Sequence, residues 1–173
     1  MIYTIGHSTQ SAEDFLALLT AHGISQLADV RTIPKSRRHP QFGRETLEGF
    51  LALHGIGYRH FPALGGLRKP RADSINSAWQ HPGFRGYADY MQTEAFTRGL
   101  DDLLTFAQDG DGPTAVMCAE AKWWQCHRRL LSDALLVRGV SVQHIMSGAE
   151  PKPHELTGFA RPEHGKVIYP GLL

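Results

Sequence analysis

Cysteine is scarce in this chain: Cys118 and Cys126 are the only two among 173 residues. Two cysteines cannot build a disulfide framework, and their rarity suits a reducing compartment, so a cytoplasmic location is expected. An excess of one charge is also lacking. The 18 Lys and Arg nearly balance the 17 Asp and Glu, leaving a formal net charge of +1. Overall charge therefore argues for neither a nucleic-acid nor a membrane partner. No stretch approaches the ~18 apolar residues of a membrane span. The opening MIYTIGHSTQ has neither the basic start nor the long apolar core of a signal peptide. No internal repeat is visible, which excludes a stacked-repeat architecture.

What remains is ordinary globular composition, 42% hydrophobic and 20% charged, on a chain of a length that suits one domain over residues 1–173. Short β-prone runs alternate with helical patterns. Strands are expected at Ile2–Ile5, Ile24–Val30, Ile56–Phe61, Thr114–Met117 and Val140–Met146. Ser11 caps a first helix that Gly23 stops, and His22 near its end favours the helix dipole or packs locally. Arg44–His54 forms a second helix, and Thr93 caps a longer one carrying Phe96, Leu100, Leu103 and Leu104 at helical spacing. Gly86–Met91 reads as a short helical turn, and a last helix is expected from about Gln125 to Arg138. From about residue 147 the chain reads as an irregular tail, with a short strand at Lys166–Tyr169 its one regular element. The alternation predicts an α/β fold with a mostly parallel sheet of about five strands and helices on both faces. Right-handed crossovers then gather the loops after the strands at one edge. His7, Asp29, Arg31, Leu64-Gly65-Gly66 and the loop after Cys118 should be neighbours there.

The densest chemistry lies in TAVMCAEAKWWQCHRR, residues 114–129. Cys118 falls between a strand and a helix, where backbone N–H groups and the helix dipole favour a thiolate. It is the candidate nucleophile, with Glu120 as acid or base; a small buried structural thiol is the competing reading. On a helix starting near Gln125, His127 shares a face with Leu130, Leu131 and Ala134, so it should hold the loop by bonding a backbone carbonyl. Cys126 and His127 are accordingly assigned to the scaffold, and Arg128 becomes a planar clamp for an anion. The spacing between the cysteines is wider than the C-x2-C of common zinc sites, and neighbours on a helix diverge by about 100°, so no metal is expected. No cofactor is indicated. Trp123 and Trp124 either stack on a ligand ring or cover the loop.

Two basic runs stand out, Lys35, Arg37, Arg38, His39 with Arg44, and Arg68, Lys69, Arg71. They focus an anion locally or are solvated surface.

Several motifs together resemble one family: TIGHST, LADVRTIPKSRRHPQF, YRHFPALGG, GFRGYADYM, MCAEAKWWQCHRRLL and HELTGFARPEHGKVIYP. They look like domain-of-unknown-function family 488, and the likeness covers nearly the whole chain. It implies an α/β fold and a site built from the motif residues, without an assigned substrate or cofactor. A second, outline likeness is to rhodanese-like domains, where a strand also ends in Asp-Val-Arg and a later strand leads into a Cys-bearing loop. Leu27–Arg31 and Thr114–Cys118 follow that plan, whereas the insertion AEAKWWQ departs from a compact sulfur-binding loop.

These readings give two expectations. One is an enzyme acting on an anionic, phosphate- or nucleotide-like small molecule, with Cys118 and Glu120 catalytic and His7, Asp29, Arg31, Ser36, Arg37, Gly65, Gly66, Tyr87 and Arg128 holding the substrate. The other is a nucleic-acid or nucleotide-binding module that uses the basic loops with Tyr58, Tyr87 or Trp124, the CAE…CHR motif serving as a structural lock.

Overall fold

Thr114-Ala-Val-Met-Cys118 is buried at every position, as suits a strand with neighbours on both edges and packed layers on both faces. It forms β4 of the sheet. The computed structural model describes residues 1–172. Strands β1 (Ile2–Gly6) and β2 (Gln26–Asp29) flank β4 in parallel. Gly6 lies opposite Cys118, and Asp29 opposite Met117. Strand β3 (Gly57–His60) extends the sheet beyond β2, and β5 (Val142–His144) beyond β1. A sixth strand, β6 (Lys152–Pro153), joins β5 antiparallel, giving the order β3-β2-β4-β1-β5-β6. Pro153 sits on this edge strand, where its missing N–H is least costly to the ladder.

Period-two alternation decides which helices cover which face. Ala115 and Met117 pack with Ile5, Phe15, Leu19, Leu47 and Leu51, which brings α1 (Ala12–Ala21) and α2 (Arg44–Leu53) to one side. Val116 and Cys118 pack with Tyr87, Phe96, Leu100, Leu130 and Leu131 on the other. That side carries α3 (Pro82–Tyr90), α4 (Glu94–Asp109) and α5 (Arg128–Val137). Cys118 thereby points towards the start of α5. The expected mostly parallel sheet with helices on both faces is present. Ser11 Oγ accepts from Asp14 N at 3.0 Å, and Thr93 Oγ1 from Phe96 N at 3.3 Å, so both helix caps act as their sequence positions suggest. His22 Nδ1 lies 2.9 Å from the Leu18 carbonyl and finishes α1.

The structure corrects two helical expectations. α3 is a nine-residue helix rather than a turn at Gly86–Met91, and it begins at Pro82. α5 begins at Arg128, not Gln125, because Trp123–Gln125 is a 3-10 turn and Cys126 is extended, with φ −131° and ψ 156°. The loop before α3 is held from inside: the Asp89 carboxylate accepts from Arg71 N, Ser74 Oγ and Asn76 Nδ2.

Beyond residue 147 the chain also forms a hairpin, β7 (Arg161–Glu163) and β8 (Lys166–Ile168). Its two-residue turn, His164-Gly165, has both φ values positive, which suits the strand twist.

Candidate active site

The register places the ends of β1, β2 and β4 at one edge. His7 N donates to the Cys118 carbonyl, Val30 N to that of Met117, and Phe61 N to that of Asp29. A cleft of about 430 Å³ opens there. Of the residues expected at the site, His7, Arg31, Ser36, Gly66, Cys118 and Glu120 line it, and so do Cys126 and His127.

Arg31 and Asp29 form a buried pair. Arg31 Nε donates to Asp29 Oδ1 at 2.9 Å, and Nη2 to Oδ2 at 2.7 Å. Burial works against the guanidinium charge, but the bonds and charge of Asp29 outweigh it and leave Arg31 more firmly cationic than usual. Tyr58 also donates to Asp29; burial, then the Asp29 charge, push its phenol up. This leaves Arg31 Nη1 facing the cleft, 3.4 Å from His7 Nε2. His7 Nδ1 lies 2.8 Å from the Ser8 carbonyl, which can only accept, so Nδ1 carries the hydrogen. Its ring stacks on Phe42, and burial is the main reason its pKa is lowered to about 4. His7 is therefore a neutral wall at pH 7. Ser8, next to it, holds a φ of 50°, a strained position for a side-chain-bearing residue.

The two thiols converge. Cys118 Sγ and Cys126 Sγ are 2.7 Å apart, closer than unbonded sulfurs ordinarily sit and not far beyond the about 2.05 Å of a disulfide bond. Cys126 Sγ is also 3.5 Å from His127 Nδ1 and 3.5 Å from the Arg128 backbone N–H at the start of α5. His127 Nε2 lies 3.0 Å from the Val30 carbonyl. Burial opposes ionisation of Cys126, but the bonds from Cys118 and His127, with the charges of His127 and Arg128, hold its thiol well below the usual value. Cys118 is pushed up, by burial first and then by its bond to Cys126. The two thiols are thus pushed in opposite directions, Cys126 down and Cys118 up, and either sulfur can be the donor of the contact between them.

This redistributes the expected roles. The divergence of Cys126 and His127 on a helix does not arise, because neither is yet helical. His127 does bond a backbone carbonyl as expected, and it also touches a thiol. Arg128 is not an anion clamp: it is fully buried and absent from the cleft lining. Its Nη2 donates to the Glu120 carbonyl at 2.5 Å and its Nη1 to Thr4 Oγ1 at 3.2 Å. Behind it hydrogen bonds continue from Thr4 through His144 and His154 to Asp133. Trp123 stacks on His144 at 4.1 Å and closes this network from outside. The guanidinium therefore fixes the loop between the cysteines through main-chain oxygens, while the exposed Glu120 side chain is left on the cleft wall.

Tyr87 is buried, donates to the Leu64 carbonyl and supports the His127 ring. Asp29 and Gly65 stand behind the wall, and Arg37 lies outside it. Gly66 packs against His127 so closely that a Cβ there would fall 2.6 Å from Nδ1. Lys35, exposed and without an ion pair among the described residues, lines the cleft mouth with Ile33 and Leu67. His81, Gly83 and Phe84 complete one side without having been anticipated. Pro82 in the first turn of α3 was the available sign that a helix start falls there. Two residues of the second basic run are engaged within the chain: Arg68 lies over Tyr90 and bonds two carbonyls, and Arg71 pairs with Asp73. With Tyr58 and Tyr87 also turned inward, the nucleic-acid reading gains no support. Among the described residues no group of three or more His, Cys, Asp or Glu could hold a metal ion.

Fold and site together define a parallel α/β protein with a paired-thiol cleft at the carboxyl edge of its sheet. No helix among the described residues is long and apolar enough to cross a membrane. The model of a family described as "Domain of unknown function DUF488" matches residues 11–135, and the chain belongs to that family. No curated protein and no solved structure matches it. The rhodanese-like outline accordingly rests on the sequence alone.

Proposed function

We propose that the cleft is a thiol active site in which Cys126 attacks a small anionic substrate. His127 takes the Cys126 proton through Nδ1, and the Arg128 backbone N–H steadies the thiolate. Arg31 Nη1 and Lys35 offer the donors for an anionic group, Ser36 and Gly66 shape the wall beside the exposed Glu120, and His127 returns its proton to the departing group. The observation that supports this reading is the surround of Cys126 Sγ: Cys118 Sγ, His127 Nδ1 and a helix-start N–H lie at 2.7, 3.5 and 3.5 Å, and the contacts to Cys118 and His127 with the charges of His127 and Arg128 draw its thiol down against burial. Limiting iodoacetamide followed by peptide mapping tests it. Cys126 should carry nearly all of the label at neutral pH. Labelling confined to Cys118, or no faster than that of a free cysteine, would refute it.

A further inference from the structure

A thiol enzyme that hydrolyses or transfers groups gains nothing from a second thiol against its nucleophile, which exposes it to oxidation. An enzyme whose cycle ends in a disulfide requires one. Both cysteines, though buried, line the same cleft, and their sulfurs are 2.7 Å apart. Cys118 is fixed at the end of β4 by its register with Gly6, and Cys126 is held against it by an intervening loop whose Glu120 and Ala121 carbonyls bond Arg128. The 2.7 Å between the sulfurs is not far beyond the about 2.05 Å of a disulfide bond. The cleft mouth combines apolar Ile33, Leu67 and Phe84 with the cation of Lys35.

We infer that Cys118 and Cys126 act as a dithiol that reduces small disulfides bearing an apolar body and a carboxylate, closing into a protein disulfide as they do so. This rests on Cys126 as the nucleophile. Its thiolate attacks one sulfur of the substrate, the substrate S–S bond breaks, and a first thiolate leaves with the proton that His127 holds. A mixed disulfide remains on Cys126. Cys118 Sγ then attacks Cys126 Sγ, and its own S–H proton departs with the second substrate thiol. Two electrons pass to the substrate, and the product is the Cys118–Cys126 disulfide. An external dithiol restores the pair by the same exchange.

The native full chain is treated with dithiobis(nitrobenzoate), an aromatic disulfide with a carboxylate on each ring, and read by released thionitrobenzoate and intact mass. The wild-type protein should release two equivalents, retain no nitrobenzoate and end lighter by two hydrogens. Cys118→Ser should release one and keep the adduct on Cys126. A wild-type protein that retains stable nitrobenzoate adducts overturns the dithiol inference while leaving Cys126 as nucleophile. No reaction of the native wild-type protein, or a Cys126→Ser variant that reacts as fast as wild type, overturns the nucleophile assignment itself. Lys35→Ala should slow this probe about three-fold and leave the rate with uncharged dipyridyl disulfide unchanged; equal effects on both would remove the carboxylate preference.

Discussion

His127 Nε2 sits 3.0 Å from the carbonyl oxygen of Val30, the residue that follows β2. A carbonyl only accepts, so Nε2 carries a hydrogen and Nδ1, turned towards Cys126, is the nitrogen left to take the thiol proton. One backbone bond thus selects the tautomer that the thiol needs. His127→Gln keeps a donor for Val30 but removes the base. The rate of Cys126 alkylation at neutral pH should fall about ten-fold, the equivalent of one pKa unit. An unchanged rate would detach His127 from the thiol.

Gly66 makes that ring position possible. A Cβ there would lie 2.6 Å from His127 Nδ1 and 2.8 Å from its Cγ. Gly66→Ala should displace the ring, slow the thiol as His127→Gln does, and cost about 1–3 kcal/mol of stability through overpacking. The comparison of urea midpoints with alkylation rates checks both effects in one variant.

Arg128 is a structural charge. It is fully buried, and Thr4 Oγ1 and the Glu120 and Ala121 carbonyls all accept from it. Arg128→Met leaves these groups without their donor. Stability should drop by about 3 kcal/mol, measured by urea unfolding. A near-neutral effect would mean that the loop between the cysteines holds its shape without the guanidinium.

Acid should loosen the fold through two buried histidines. Burial is the main cause that lowers His7 from 6.5 to about 4 and His144 from 6.5 to about 3. Both rings are neutral in the folded state but take up a proton near 6.5 when unfolded. Over that interval the unfolded chain binds more protons, so stability is full above about 6.5 and declines as pH falls towards 4 and 3. Urea midpoints measured between pH 7 and 5 should decrease, and His7→Gln should flatten the slope. A midpoint independent of pH in this range would contradict the buried neutral state.

The frame was legible in the sequence because its signals are local. TAVMC reads as a buried strand, Ser11 and Thr93 as caps, and the βα alternation brings His7, Arg31, Gly66, Cys118 and Glu120 to one edge without a contact being known. Two features were hidden for physical reasons. HPGFRGYADYM carries a proline and two glycines that look like breakers, yet Pro82 occupies the first turn of α3, where its missing N–H is harmless. The meeting of the thiols depended on where α5 starts. Periodicity extends an amphipathic helix back through His127, whereas the Trp123 stack on His144 and the Arg128 bonds to the loop favour a 3-10 turn and an extended Cys126. Such long-range contacts leave no periodic trace. They turned Cys126 and His127 from scaffold into the centre of the proposed chemistry.

The proposed chemistry turns on Cys126 being a thiolate in the resting protein. Ultraviolet titration of thiolate absorbance in the native chain, beside Cys126→Ser, tests it most directly. A thiolate band should already be present near pH 7 and be abolished in Cys126→Ser. A band that emerges only at the alkaline pH of an ordinary thiol, or that survives in Cys126→Ser, would contradict it.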